Sequence, residues 1–433
     1  MTPFQVGILC CVILFVLLAA SLPVAFAMAV VGFLGFAIIV DMHAAASMIT
    51  VELYETFMQY NLTVIPLFVL MGQIAFHAGI SRRLFDAAYR WLGHLPGGLA
   101  ISTVGACTAF GAICGSGPAT AATMASVALP EMKRYKYSPE LSCGAVAAGG
   151  GLGMLIPPSV VFIVYSLLTE QSIGKLFIAG ILPGLMIAAL FALTIVIQCV
   201  LNPRLGPAGP PSSWTVRFKS LSGLIETLIL FAAVMIGMFK GFFSPTEAAA
   251  VGAAGSLIIA ALRGKLTPKM LNRSLMETIR TSCMVMIIVT GAVIFGRFLA
   301  ITRIPFELAT WLTDLPLPSW MVMGMIILFY LAAGSFIDAL ALVLLTTPIF
   351  YPVVQELGYD PIWFGVIIVV VTQMGVITPP VGVNVYVVSG IERDVSLQAI
   401  FRGSMPFLLA LVVAAVLLMI FPSICTFLPN WVG

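Results

Sequence analysis

The sequence GSGPATAA, residues 115–122, interrupts an otherwise apolar run that extends over residues 97–130. Gly favours turns and Pro has no backbone N–H, so an unbroken helix is not expected through this stretch. Unpaired backbone groups cost several kcal/mol each in lipid, so such an interruption is tolerated only inside protein or beside a cavity. The stretch therefore predicts the tip of a helical hairpin that other membrane-embedded helices surround.

The same pattern returns in the second half of the chain. The sequence GSFID, residues 334–338, interrupts the apolar run 318–352 and begins 219 positions after the first tip. Further matches occur at separations of 219 to 222 positions: Pro23 with Pro245, Gly72 with Gly291, Trp91 with Trp311, and Pro157-Pro158 with Pro379-Pro380. Matches in one order and at one separation indicate an internal repeat. We predict a first repeat over 1–201, a cytoplasmic linker over 202–220 and a second repeat over 221–433.

The composition identifies the medium in which these repeats fold. The chain of 433 residues is 61% hydrophobic and 9% charged, with a mean hydropathy of +1.14. A soluble domain carries about 25% charged residues. Apolar runs of about 20 residues, enough to cross a bilayer as a helix, recur along the whole length. A net charge of +3 is too small to indicate a nucleic-acid partner. We predict an all-α, multi-pass membrane protein that is surrounded by lipid.

Each repeat is predicted to contain five membrane crossings and one re-entrant hairpin. The crossings of the first repeat lie near 4–20, 22–40, 62–79, 138–168 and 173–201, and its hairpin is 97–130. Those of the second lie near 222–240, 244–262, 283–300, 361–390 and 403–425, and its hairpin is 318–352. An amphipathic connector precedes the third crossing and the hairpin of each repeat. The fourth crossing of each repeat contains Pro-Pro, which predicts a broken helix.

The positions of the cations favour hairpins over simple crossings. If residues 97–130 form a hairpin, the basic residues before and after it lie on one face of the membrane. Sixteen of the twenty Lys and Arg then share that face, and the remainder are Lys175, Lys240, Arg297 and Arg303. The positive-inside rule makes that face cytoplasmic. Because five is an odd number of crossings, the repeats are inverted, and the two hairpins enter from opposite faces.

The two tips and the two broken crossings have the chemistry of an ion site. Proline frees carbonyl groups upstream of it, and these oxygens together with Ser and Thr hydroxyls suit Na+. Helix N-termini at the tips attract anions. We expect two pseudo-symmetric Na+ sites, formed by Gly115, Ser116, Gly151, Ile156 and Pro157, and by Gly334, Ser335, Asp338, Gly375 and Thr378. The alternative is that Gly, Ser and Pro only kink helices and allow close packing.

Charged groups within the apolar zone are candidates for binding roles because they are costly there. Asp338 in the second tip either ligates Na+ or is satisfied by hairpin N–H groups. The guanidinium of Arg297 suits bidentate capture of a carboxylate or sulfonate, and its alternative is to reach the outer interface. Ser116 and Asn384 are the other candidate substrate ligands.

At these residues the chain resembles the large membrane subunit of TRAP (tripartite ATP-independent periplasmic) transporters, over essentially its whole length. The most specific parts are 111–130, 149–159, 334–338 and 378–380. The resemblance implies Na+-driven uptake of a small organic anion across the bacterial inner membrane. It also implies a periplasmic binding protein that delivers the substrate, a small four-helix membrane subunit, and an elevator-type fold with a moving transport domain. It favours Arg297 as a contact for the acid group.

Two other functions are weighed against this one. A standalone sodium/anion symporter would need no binding protein, and an uptake assay with and without that protein distinguishes the two. A membrane-embedded enzyme would need an acid–base or metal constellation near the bilayer, and the sequence contains none. The residues do not name the substrate, because dicarboxylates, sialic and other sugar acids, keto acids and sulfonates all fit.

Overall fold

The structure, a computed structural model, describes residues 2–20, 22–313 and 316–432. Within those ranges the regular elements are all helical. The first half contains α1 (Pro3–Ala19), α2 (Val24–Ile39), α3 (Met42–Met58), a short 3-10 helix (Tyr60–Thr63), α4 (Val64–His77), α5 (Ile80–Leu92), α6 (Gly98–Cys114), α7 (Gly117–Arg134), α8 (Pro139–Leu155), α9 (Val160–Thr169) and α10 (Ile173–Leu201).

The second half repeats this order of helices. It contains α11 (Trp214–Phe239), α12 (Pro245–Leu262), α13 (Pro268–Thr302), α14 (Ile304–Thr313), α15 (Ser319–Gly334), α16 (Ala339–Glu356), α17 (Pro361–Gly375), α18 (Val383–Ile391), α19 (Leu397–Ile420) and α20 (Ser423–Val432). The predicted hairpins are the pairs α6–α7 and α15–α16, and the predicted broken crossings are α8–α9 and α17–α18. Among the described helices, eight segments are long and apolar enough to cross a membrane, and α1, α2, α6, α15 and α17 are apolar but shorter.

Helix starts follow local rules that the sequence makes visible. Asp360 and Ser244 each precede a proline in the first turn, where a missing N–H costs nothing. The Asp360 carboxylate accepts a hydrogen bond from the Trp363 N–H at 2.9 Å. Ser244 and Glu247 form a reciprocal capping box at the start of α12. Glu247, which the sequence suggests as a helix-end charge, therefore has a structural contact.

The two halves exchange equivalent partners, as an inverted repeat requires. Helix α2 packs on α13 while its counterpart α12 packs on α4, and α9 packs on α16 while α18 packs on α7. Gly151 and Gln373 are equivalent positions, 222 residues apart, and a Cβ on Gly151 would lie 3.5 Å from Cγ of Gln373. Because equivalent positions touch only near a symmetry axis, the pseudo-two-fold axis passes between α8 and α17 at this pair.

One connector differs between the halves. The sequence predicts an amphipathic connector followed by a separate third crossing in each half. In the first half the chain breaks between α3 and α4, where Pro66 would clash with the carbonyl four residues earlier in a continuous helix. In the second half no proline follows Pro268 within the helix, and connector and crossing form the single 35-residue helix α13.

Two predicted boundaries are displaced. The linker was expected over 202–220, but α11 begins at Trp214, because no proline lies beyond Pro211 to prevent the helix. The last crossing was expected over 403–425, but α19 ends at Ile420 and α20 follows. Pro422 disfavours a helical residue before it, which accounts for that break.

The linker is hydrogen-bonded to the base of the first hairpin. The Gly97 N–H donates to the Gly206 carbonyl at 3.0 Å, and the Ser138 N–H donates to the Leu205 carbonyl at 2.9 Å. The Tyr137 hydroxyl donates to the Pro207 carbonyl at 2.8 Å and accepts from the Leu99 N–H at 3.2 Å. The segment that joins the repeats is therefore fixed to the base of the first hairpin.

Candidate transport site

The first hairpin tip leaves a helix N-terminus open. Gly115 ends α6 with φ +66°, a left-handed conformation that favours glycine. Ser116 is extended and does not cap α7 with its side chain. Among the described residues, no acceptor contacts the N–H groups of Gly117 and Ala119. The positive end of the α7 dipole and two N–H donors are thus available to an anion.

The second tip is built differently. Four residues, 335–338, separate α15 from α16, and the last of them is Asp338. Its carboxylate accepts a hydrogen bond from the Leu340 N–H at 3.1 Å, so it caps α16. The Ser335 hydroxyl donates to the Ala332 carbonyl at 2.7 Å. The Leu340 N–H thus satisfies one carboxylate oxygen of Asp338, and the role of Asp338 as a Na+ ligand stays a prediction.

Each tip rests on a glycine of the broken crossing in its own half. A Cβ on Gly153 would lie 2.9 Å from the Ser116 carbonyl oxygen and 2.5 Å from Oγ1 of Thr120. A Cβ on Gly375 would lie 2.4 Å from the Gly334 carbonyl carbon. These positions are equivalent, 222 residues apart, so the same close approach of tip and broken crossing is built twice. Of the predicted ion-site glycines, Gly334 and Gly375 are in direct contact.

The broken crossings leave backbone oxygens without hydrogen-bond donors in the described part of the chain. Among the described residues, no hydrogen bond reaches the carbonyls of Ile156, Pro157 and Pro158. The Thr378 carbonyl likewise accepts none, and the Thr378 hydroxyl donates to Met374 at 2.6 Å. The Pro158 oxygen lies 2.6 Å from the position of a Cβ on Gly115. The Pro158 carbonyl therefore lies beside the first tip, and the Na+ sites at both tips stay a prediction.

Both tips face one cavity of about 670 Å³. One wall contains the first tip, with Ser116, and the second tip, with Asp338. The opposite wall belongs to the N-terminal turn of α2 and to residues 281–288 of α13. Apolar side chains dominate the lining, and the polar side chains are few: Gln73, Ser116, Thr281 and Asp338. A mostly apolar cavity with a few convergent polar groups is typical of a small-molecule site.

Arg297 lies away from this cavity. It is nine residues beyond Ile288, the last cavity residue of α13, or about 14 Å along the helix axis. Its Nε atom donates to the Glu52 carboxylate at 2.6 Å, and Glu52 on α3 is buried. The structure thus provides an acidic partner from a distant connector, and it does not bring Arg297 to the tips. Its role as a substrate ligand stays a prediction.

Two buried amides lie in the broken crossing of the second half. The Asn384 Nδ2 donates to the Ala147 carbonyl at 3.0 Å, which joins the two broken crossings. The Asn384 Oδ1 has no partner among the described residues, and neither does the Oε1 or the Nε2 of Gln373. Gln373, 1% exposed, was not among the predicted ligands. An amide in a fully apolar run was the signal that could have identified it.

Comparison with known proteins identifies the family. A sequence profile described as tripartite ATP-independent periplasmic transporter, DctM component, matches residues 11–424. The chain belongs to this family. It is therefore a large membrane subunit of a TRAP transporter and a multi-pass protein of the bacterial inner membrane, as the sequence predicts. The functions known among its relatives are those of permeases, not enzymes.

Relatives with different named substrates match along nearly the whole chain. The C4-dicarboxylate TRAP transporter large permease protein DctM of Pseudomonas aeruginosa is 39% identical, over 89% of this chain and 90% of that protein. The sialic acid TRAP transporter large permease protein SiaM of Vibrio cholerae is 33% identical, over 86% of both. Because dissimilar acids share this family, similarity alone does not name the substrate.

The fold also matches a solved transporter structure. The YdaH transporter of Alcanivorax borkumensis aligns with a TM-score of 0.63 and 15% sequence identity, over 88% of this chain and 89% of that one. At this identity the likeness concerns the fold alone. It agrees with the all-helical architecture of inverted repeats, hairpins and broken crossings in this TRAP subunit.

Proposed function

We propose that this TRAP subunit imports a small organic anion by Na+-coupled transport, with the substrate and the ion bound at the two hairpin tips. The observation that supports this most is the shared cavity. It contains an uncapped helix N-terminus at Gly117 and Ala119 and a carboxylate at Asp338. A neutral donor site beside a negative site suits an anion that travels with a cation.

The substrate's acid group docks at the N-terminus of α7. There the N–H groups of Gly117 and Ala119 and the Ser116 hydroxyl donate to it, and the helix dipole stabilises its charge. Na+ takes oxygen ligands from each tip and from the unpaired carbonyls of the broken crossings, and Asp338 neutralises one ion. Bound Na+ makes the cavity less negative, so substrate binding follows ion binding.

Transport then proceeds by movement of the tips and the broken crossings against the scaffold. The cavity lies between these two groups of helices, since α2 and α13 form one wall and the tips form the other. A periplasmic binding protein delivers the substrate, and a small four-helix membrane subunit completes the scaffold. The substrate is a dicarboxylate, a sialic or other sugar acid, a keto acid or a sulfonate.

Thermal unfolding in Na+, compared with K+, tests the ion sites without knowledge of the substrate. A ligand that binds only the folded state raises the midpoint of unfolding as its concentration rises. We expect Na+ to raise the midpoint more than equal K+, and Asp338→Asn to reduce this difference. Equal midpoints in both salts for the unmodified protein would exclude Na+ sites. Proteoliposome uptake of succinate, sialic acid, pyruvate and isethionate, with and without a binding protein, then tests the substrate class and the partner.

A further inference from the structure

A second concave surface lies on the side of the helix bundle, away from the tips. It is an apolar groove of about 380 Å³ between α5, α6 and α11, lined among others by Ala88, Trp91, Gly105, Ala109, Leu221 and Leu224. Small residues on α5 and α6 line part of it. A Cβ on Gly105 would meet nothing closer than 3.9 Å, so the groove has unfilled space at this position.

A basic group stands at the mouth of this groove. Arg217, Leu221 and Leu224 are spaced four and then three residues apart, so they share one face of α11. The Trp91 indole N–H donates to the Arg217 carbonyl at 3.2 Å, which fixes α11 against α5 at this end. Arg217 belongs to the cytoplasmic group of cations, so the mouth lies at the inner membrane interface.

The charge of Arg217 is not neutralised by the protein. Within the described residues, no carboxylate oxygen lies within 4 Å of its guanidinium, whereas Arg83 and Arg263 share Glu226. One guanidinium nitrogen lies 3.4 Å from Nδ1 of His94, and the Nε atom is buried without an acceptor. A guanidinium without a carboxylate partner is available to an anionic acceptor from outside the chain.

The surroundings of the mouth favour a lipid over a soluble anion. Trp214 and Phe218 are 65% and 61% exposed beside Arg217, whose guanidinium lies 5.1 Å from the centre of the Trp214 ring. Aromatic rings of this kind lie at the level of lipid headgroups. The groove below the rings is apolar and parallel to the lower turns of α11, so it accepts an acyl chain.

We propose that this groove binds one anionic phospholipid. Its phosphate accepts hydrogen bonds from Arg217, and one acyl chain lies between α5, α6 and α11. The bound chain contacts Gly105 on α6, the first arm of the hairpin whose tip faces the transport cavity. The lipid therefore occupies the joint between that hairpin and the neighbouring α11.

Native mass spectrometry of the transporter complex, released from nanodiscs of equal phosphatidylglycerol and phosphatidylethanolamine, tests the headgroup. We expect Arg217→Gln to lower the retention of phosphatidylglycerol about tenfold, the loss of one charge-assisted hydrogen-bonded pair. Lys219→Gln is the matched control, because it removes an equal charge two residues away on an exposed side chain. Equal losses of phosphatidylglycerol in the two variants would mean that any cation on this face attracts the lipid equally, and this result would overturn the proposal.

A second pair of variants tests the groove. Gly105→Leu fills it without a change of charge, and we expect a several-fold loss of retained lipid. Gly324→Leu is the control, since it is the equivalent position of the second hairpin and lies in open space. Retention unchanged by Gly105→Leu, or a photoreactive residue at Leu221 that crosslinks to a protein partner in place of lipid, would overturn the proposal.

Discussion

The two hairpin tips share their packing, but they differ in the length of the turn and in chemistry. Each follows an apolar helix, rests on a glycine of the broken crossing and begins a second helix that faces the cavity. At the first tip the N-terminus of α7 has no side-chain acceptor, whereas at the second tip Asp338 caps α16. Duplication thus supplied two equivalent electropositive helix ends, and one carboxylate made them unequal.

The hairpin arms differ as well. In α6, 13 of 17 residues are buried, whereas in α15 only 5 of 16 are. Helices α4, α5 and α10 cover α6, while the counterpart α15 has few neighbours besides α16 and α17. Substitutions in the first hairpin should therefore affect folding and transport together, and those in the second should affect transport more selectively.

The largest expected effect concerns the glycines beneath the tips. Gly153→Ala and Gly375→Ala each place a Cβ within 3 Å of the tip, and overpacking of this kind costs about 1–3 kcal/mol. Gly375→Ala should be the more severe, because the three atoms nearest its Cβ are all backbone atoms of Gly334, whereas the nearest atom to a Cβ at Gly153 is the Thr120 hydroxyl oxygen. Uptake by proteoliposomes measures the loss of transport in the two variants, and the midpoint of thermal unfolding measures their loss of stability.

Gly324→Ala provides the control for these two variants, because a Cβ there meets nothing within 4 Å. It should change neither uptake nor the unfolding midpoint appreciably. If Gly153→Ala and Gly375→Ala were also tolerated, the close packing of tips on broken crossings would not matter for transport.

The next effect separates the chemistry of the tips. Asp338→Asn keeps the helix cap, since Asn caps as well as Asp, and removes only the charge. We expect the half-saturating Na+ concentration for uptake to rise at least about tenfold, the scale of one hydrogen-bonded charge. Ser116→Ala should weaken substrate affinity more than Na+ affinity. Unchanged Na+ dependence in both variants would remove the tips as ion sites.

A smaller effect is expected at Arg297, which lies outside the cavity. If Arg297 contacts the substrate, Arg297→Lys should raise the KM for the anion and leave Na+ dependence unchanged, because Lys lacks the bidentate fork. Glu52→Gln should then lower that KM, since it frees the guanidinium. Loss of stability in both variants, with KM unaltered, would instead assign the pair to the packing of α3 on α13.

The smallest effect compares the two ends of the molecule. At the end that the cation distribution predicts to be cytoplasmic, Lys133 lies 2.8 Å from Asp394 and 3.3 Å from Glu392. At the other end the equivalent helices are joined by a neutral contact, with the Gln171 amide donating to the Tyr351 hydroxyl at 3.1 Å. Lys133→Gln should lower the unfolding midpoint only slightly and only at low salt, because exposed pairs are screened. The effect of Tyr351→Phe on the unfolding midpoint should be independent of salt, because the contact it removes is neutral.

The pH dependence of this contact follows from its charges. The ammonium of Lys133 holds the pKa of Asp394 below its usual range. The contribution of Asp394 to stability is therefore present above its ordinary pKa and is lost as the pH falls through the lowered value. At neutral pH the contact is intact, and salt is the variable that weakens it.

Local signals in the sequence predicted the architecture well. The tip sequences, the Pro-Pro pairs and the separation of 219–222 positions predict the repeats, because each depends on backbone chemistry at a single place. The cation distribution predicts the hairpins, since it reflects the membrane itself. The predicted start of α11 and the predicted end of α19 were less accurate. The start and end of a helix depend on single prolines that compete with an apolar run.

The sequence did not predict which side chains contact each other. Arg297 and Glu52 are 245 residues apart, and only the packing of α3 on α13 brings them together. The part of the cavity lined by Gln73 and Thr281 likewise exists only where distant helices meet. Gln373 was not among the predicted ligands, because the isolation of its amide from hydrogen-bond partners is a property of the folded interior.

The contact between Gly151 and Gln373 bears on how such a protein can originate. In a symmetric dimer of half-length chains, a residue on the two-fold axis always meets its own copy. Two glycines there would leave a hole, and two glutamines would compete for the same space. Once both halves belong to one gene, the two positions mutate independently, and one can supply the room that the other fills. The fused chain thus has a freedom at its centre that its symmetric ancestor lacked.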